Sequence, residues 1–252
     1  MIVSMPRWLA AKVASGWMKI IWFCETLASE ALEDFMTNNG KEKELREETV
    51  YDRMLTSNLQ IEDTGKPPIR HADLSEEGAS LLVAGTETSA TTLAYATYYI
   101  LAHPEVERRV LEDLATVERD ENGRLPLVKV EALPYLVGVM KETLRFTHGV
   151  PGRLTRIVPR GGLYVPAIAD YIPEGSIVGI SHIFIHDSPE IFEDPKKFKP
   201  ERWMGAKERE LDHWLLAFSK GSRDCIGKNL ALAEMILMIA NIYCETSFLK
   251  GS

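Results

Sequence analysis

The run Phe218-Ser219-Lys220-Gly221-Ser222-Arg223-Asp224-Cys225-Ile226-Gly227 sets one thiol on a glycine-bounded loop, with an arginine two residues before it and an aromatic seven before. A long apolar stretch from Asn229 to Tyr243 follows and reads as a helix. A thiol at the start of a helix meets the positive end of the macrodipole and free backbone N–H groups, both of which favour its anionic form. A lone thiolate with no partner cysteine nearby suits the axial position of a haem iron, where its electron density favours O–O cleavage. Gly221 then allows a tight turn, and Gly227 allows the backbone to approach a flat macrocycle. Burial in a core is the commoner fate of an isolated cysteine. The specified neighbours of Cys225 favour the ligand reading.

A second candidate is Ala84-Gly85-Thr86-Glu87-Thr88-Ser89, in the middle of a long helical pattern. Glycine inside a helix costs about 1 kcal/mol against alanine, so Gly85 needs a reason. One is room for something to lie against the helix. The acid Glu87 beside the alcohol Thr88 then forms a route for delivering protons to bound O2, through water. Thr88 is expected to turn its hydroxyl back to a carbonyl one turn earlier. A helix crossing with small residues at the contact explains the same pattern equally well.

Glu142 and Arg145 lie three apart on one helical face. Their neighbours Val137, Met140, Leu144 and Phe146 imply partial burial, where the pair needs further bonds. Arg202, in Phe198-Lys199-Pro200-Glu201-Arg202-Trp203, is the expected third member of a network locking this helix to the coil before the cysteine loop. Haem propionates need cationic bidentate donors, and Arg156 with Arg223 is the preferred pair. Arg153 is expected to be solvated or bound to backbone. His182 and His186 are four apart, a zinc spacing on a helix. Ile177 to Ile185 reads as strand, however, and no third ligand stands nearby in sequence.

These groups need elements to hold them. Residues 1–60 form a helical lead-in, with a stop at Asn38-Asn39-Gly40 and a loop from Thr64 to Pro68. Ser75 is the expected N-cap of a long central helix over 75–102, about 40 Å in length. Its middle, Leu81 to Leu93, should be buried. Further helices are expected over 105–118 and 129–147, then a β part over 154–185 with a turn at Gly161-Gly162. An ordered coil leads to the cysteine loop and helix over 218–243.

A 252-residue chain that is 45% apolar can build a sizeable core. A net charge of −8 excludes a generic nucleic-acid binder. Three scattered cysteines exclude a disulfide framework, and a reducing, intracellular setting fits. The most apolar N-terminal stretch, Trp8 to Phe23, carries Lys12 and Lys19 and is too short for a transmembrane span. No dinucleotide or phosphate-loop fingerprint is present.

With Ala84-Gly85-Thr86-Glu87-Thr88, Glu142-Thr143-Leu144-Arg145, Pro200-Glu201-Arg202-Trp203 and Phe218 to Gly227 in this order, the chain resembles the cytochrome P450 family of haem-thiolate monooxygenases. The wording from Ala217 to Arg223 is most similar to fungal microsomal members. Trp203 stands where phenylalanine is common. The resemblance implies a mainly α fold with a minor β part, here as one shortened domain resembling the C-terminal half. It implies haem b with Cys225 as proximal ligand, and Phe218, Gly227, Gly85, Arg223 and Arg156 around the cofactor. Glu87 and Thr88 would act on the distal side. It also implies O2, an apolar small-molecule substrate of fungal secondary metabolism, and electrons from an NADPH-dependent flavoprotein reductase. Full-length relatives are expected at the endoplasmic reticulum membrane. A non-catalytic remnant of such an enzyme is the alternative.

Overall fold

The computed structural model describes residues 15–37, 48–59, 69–205 and 208–250. The expected stop at Asn38-Asn39-Gly40 and the Thr64 to Pro68 loop lie outside these residues. The helices are α1 (Ser15–Thr37), α2 (Val50–Leu59), α3 (His71–Ala102), α4 (Pro104–Leu114), α5 (Leu127–Val130), α6 (Pro134–Thr147), α7 (Ile183–His186), α8 (Glu208–Trp214) and α9 (Lys228–Lys250). The strands are β1 (Arg156–Ile157), β2 (Leu163–Val165), β3 (Asp170–Ile172) and β4 (Ile177–Val178). The fold is thus mainly helical with a small β part, as expected. No helix among the described residues is long and apolar enough to cross a membrane.

Two compact units form, Met1–Thr86 and Glu87–Ser252, and the boundary between them falls inside α3. In the first, Ala28 and Ala31 of α1, Leu55 of α2 and Leu74 of α3 make a small core. A cleft of about 1190 Å³ runs along α3 there, lined by Trp22, Glu25, Ser29, His71, Glu76 and Val83 among others.

Helix α3 starts four residues before the expected Ser75. Asp73, not Ser75, secures its first turn: its carboxylate accepts the Arg70 N–H at 2.9 Å and binds the Arg70 guanidinium through both oxygens. Those bonds hold the Asp73 carboxyl down at about 2. Ser75 is buried inside the helix. The expectation that Leu81 to Leu93 is buried also fails, since Leu81, Leu82, Gly85, Thr86 and Glu87 are exposed.

The second unit has the main core. Ala96 and Ile100 of α3 meet Val106, Val110 and Leu114 of α4, Leu136, Val139 and Met140 of α6, and Met235, Ile239 and Ala240 of α9. Apolar residues at helical spacing on each element supply these faces. The expected 129–147 helix is two pieces, because Leu133 is extended ahead of Pro134. Asp113 of α4 caps α6, its carboxylate accepting the Tyr135 and Leu136 N–H groups at 2.9 and 3.1 Å.

The β part is two antiparallel ribbons. Arg156 pairs with Val178 and Ile157 with Ile177; Leu163 pairs with Ile172, Tyr164 with Tyr171 and Val165 with Asp170. Gly161 and Gly162 both have positive φ and make the expected turn. Beyond Val178 the expected strand does not continue, and α7 takes its place.

Candidate functional site

The cysteine loop is closed by its own backbone. The Cys225 N–H donates to the Phe218 carbonyl at 2.9 Å, Ser219 N–H to Leu216 O at 2.9 Å, and Asp224 N–H to Gly221 O at 3.2 Å. The turn requires a left-handed residue at Gly221, with φ 82°, and gets a second at Ser219, with φ 60°. Phe218 anchors the start of the loop by packing on the main core. The Ala231 N–H then bonds Gly227 O at 2.9 Å, and α9 leads away from Lys228.

This places the Cys225 thiol exposed at the loop tip, just ahead of a helix N-terminus. Ile226 beside it is 94% exposed. A Cβ on Gly227 would stand 3.9 Å from the sulfur, so the glycine leaves that flank of the thiol open. One thiol on an open loop, a glycine at its side and the exposed Arg223 form a donor set that fits an iron porphyrin. Arg223 has no partner among the described residues. Arg156, also exposed, folds its Nη1 back to the Thr155 and Leu154 carbonyls at 2.9 and 3.4 Å. No bond joins these two arginines.

Lys220 and Lys228 are both exposed, and Lys220 donates to the His213 carbonyl. On α3, Glu87 is exposed and Thr88 half-buried. A Cβ at Gly85 would meet nothing within 4 Å, so that position is open. The Thr92 hydroxyl bonds back to the Thr88 carbonyl at 2.9 Å, a contact that loosens the helix locally.

The Glu142–Arg145–Arg202 network is present and deeper than expected. Glu142 is fully buried and Arg145 is 1% exposed. Arg145 binds the Glu142 carboxylate through Nε at 3.0 Å and Nη2 at 2.9 Å, and Arg202 Nε reaches it at 3.1 Å. Two donors escaped the sequence reading: the Lys199 N–H at 3.0 Å and the Trp203 indole N–H at 2.8 Å. A buried indole needs an acceptor, which was the signal available for Trp203. Five donors on one carboxylate satisfy the buried charge, which is what such a site requires. Gly138 also went unnoticed. It lets α6 meet the short turn Pro200–Trp203, where a Cβ would lie 2.8 Å from Pro200 O.

His182 and His186 correct the sequence reading. They lie at α7, not in a strand, and His148 joins them, one nitrogen of each ring falling within 4.8 Å of the others. The protons decide what this cluster does. The Leu216 N–H donates to His186 Nε2 at 2.9 Å, so that nitrogen carries a lone pair. His186 Nδ1 faces the Arg145 carbonyl at 3.2 Å and must carry the hydrogen. His182 Nε2 faces the His148 carbonyl and must also donate. A metal ligated through His186 would break one of these bonds and orphan a buried backbone group, so the trio is a hydrogen-bonded cluster. Burial and the neighbouring His182 and His148 push the His186 ring down to about 3. Burial is also the main reason the His148 ring titrates low.

A sequence profile described as cytochrome P450 matches residues 1–245. The chain belongs to the cytochrome P450 family. It is 32% identical to the cytochrome P450 monooxygenase aneF of Aspergillus aculeatus, over 96% of this chain and 48% of that protein. It is 33% identical to cytochrome P450 monooxygenase BOT1 of Botryotinia fuckeliana, over 96% of this chain and 46% of the relative. With cytochrome P450 monooxygenase TRI4 of Fusarium sporotrichioides it shares 40% identity, over 72% of this chain and 35% of the relative. This cytochrome P450 chain thus spans about half the length of the first two relatives.

Proposed function

We propose that this chain is the haem-binding part of a fungal cytochrome P450 monooxygenase, which inserts one atom of O2 into an apolar small molecule of secondary metabolism. The observation that carries the proposal is the exposed Cys225 thiol, held at the tip of a closed loop ahead of α9. Bound there, haem b supplies the activation of O2. The chain's own residues do the rest. Cys225 would hold the haem iron through its sulfur, Gly227 keeps the flank of that sulfur clear, Phe218 fixes the loop to the core, and Gly221 forms its turn. Arg223 and Arg156 would meet the propionates, Arg156 after releasing the Leu154 and Thr155 carbonyls.

Gly85 leaves the surface of α3 open, and Glu87 with Thr88 would be the acid and alcohol that relay protons through water. Glu142, Arg145 and Arg202 hold the coil that supports the loop. Electrons would come from NADPH through a flavoprotein reductase, docked at the exposed Lys220 and Lys228 that flank the loop.

Expressing the chain, supplying haem, reducing it and adding carbon monoxide tests this. A thiolate-type Soret shift that Cys225→Ala abolishes supports the reading. Folded chain that gives no shift overturns it in favour of a non-catalytic remnant.

A further inference from the structure

We propose that His186 is the positioning residue that carries the buried Glu142–Arg145 pair's geometry to the Cys225 loop. It acts as a neutral imidazole with its hydrogen on Nδ1. The role attributed to Cys225 rests on the function proposed above; the bonds assigned to His186 do not.

The side chain sits where three segments converge. Arg145 lies in the last turn of α6, where the final four carbonyls have no partner inside the helix. His186 Nδ1 donates to the Arg145 carbonyl at 3.2 Å, and Arg145 Nη1 donates to the His186 carbonyl at 2.7 Å. The two residues therefore clamp each other through one side chain in each direction. The same guanidinium is held by Glu142 at 2.9 and 3.0 Å, so the clamp is anchored to a fixed charge pair.

The other face of the ring reaches the loop. Nε2 accepts the Leu216 N–H at 2.9 Å. The Leu216 carbonyl in turn accepts the Ser219 N–H at 2.9 Å, and two residues beyond Leu216 the Phe218 carbonyl accepts the Cys225 N–H at 2.9 Å. A continuous path of hydrogen bonds and short backbone steps thus runs from Glu142 to the thiol-bearing residue. Among the described residues, His186 is the side chain that bonds both the Arg145 carbonyl and the Leu216 N–H.

Both ring contacts face backbone groups of fixed sense, so only one tautomer satisfies them. Burial is complete at this ring, at 0% exposure, so a lost bond would leave a backbone group without water to replace it. His148, in the left-handed conformation with φ 57° at the end of α6, brings its Nδ1 to 3.4 Å from His186 Nδ1 and takes a weaker share of the same hydrogen.

The test separates the ring's two nitrogens and needs no haem. In 15N-histidine-labelled chain at neutral pH, His186 should show the neutral Nδ1–H tautomer. A protonated ring or an Nε2–H tautomer overturns the proposal. Glutamine can place an oxygen near Nε2, and asparagine a donor near Nδ1. Hydrogen exchange of residues 215–227 should therefore stay slow in His186→Gln. In His186→Asn it should quicken by about tenfold at the Leu216 and Cys225 amides, with α9 still protected. Equal exchange in the two variants, fast or slow, would mean the residue only fills space. A chain that passes these tests yet gives no thiolate–haem signature would sink the proposed function and leave the positioning role standing.

Discussion

The Trp203 indole N–H donates to Oε2 of Glu142 at 2.8 Å, and both side chains are buried. The resemblance marks Trp203 as a departure, a position where phenylalanine is common. Here the larger ring adds a donor to a carboxylate that already receives Arg145, Arg202 and the Lys199 N–H. Trp203 also joins Phe192 and Leu211 in a small core of its own. One residue thus serves both the charge network and the packing of the coil beneath the loop.

Trp203→Phe removes the indole bond and keeps most of the apolar volume. Stability measured by urea unfolding should fall by about 2 kcal/mol, as for a hydrogen bond to a charged group. Glu142→Gln should cost more, about 3–5 kcal/mol, because it strands the buried Arg145 charge. If Glu142→Gln proved the milder of the two, the carboxylate would not be the centre of this network.

Acid should weaken the second unit in a defined window. The His186 ring is lowered from 6.5 to about 3 by burial first, then by His182 and His148, against the opposing pull of its hydrogen bond to the Arg145 carbonyl. The unfolded chain therefore binds a proton that the folded chain refuses. Stability is complete above pH 6.5 and declines as pH falls from there towards 3, by on the order of 3 kcal/mol at pH 4. His148 is lowered too and acts in the same direction. Asp194, held at about 2 by Lys199 and Lys197, contributes only between 3.8 and about 2. Unfolding free energies across this range check the sign; stability that is flat from pH 7 to 4 would contradict it.

Gly138→Ala places a Cβ 2.8 Å from the Pro200 carbonyl oxygen, a backbone atom with no rotamer to yield. Stability should drop by about 1–3 kcal/mol from overpacking. At Gly85 the same change meets nothing within 4 Å, and alanine is the better helix former there. Gly85→Ala should raise stability by about 1 kcal/mol in the chain without haem. Paired melting curves test the contrast.

Thr88→Ala in haem-loaded protein with its reductase should leave oxygen consumption running while product per O2 falls by about tenfold, as for loss of a proton-delivery group. Unchanged coupling would remove Thr88 from that role.

The sequence by itself determined the thiol loop, the long central helix and the Glu142–Arg145–Arg202 set. Each of these rests on spacing along one segment, or on residue types whose chemistry has few uses. The cysteine loop's glycines and the helical register of Glu142 and Arg145 are local facts. Only the tertiary structure decided where the buried protons sit. His148, His182 and His186 are far apart in sequence from Leu216, and nothing in their spacing says which nitrogen faces a carbonyl and which an N–H. The start of α3 at His71 and the exposure of Leu81 and Leu82 were likewise beyond the pattern. A helix's apolar face is legible in its period, but what covers that face depends on distant segments. The fifth donor on Glu142 has the same origin: Trp203 reads as an ordinary aromatic until folding brings its indole to a carboxylate 61 residues away.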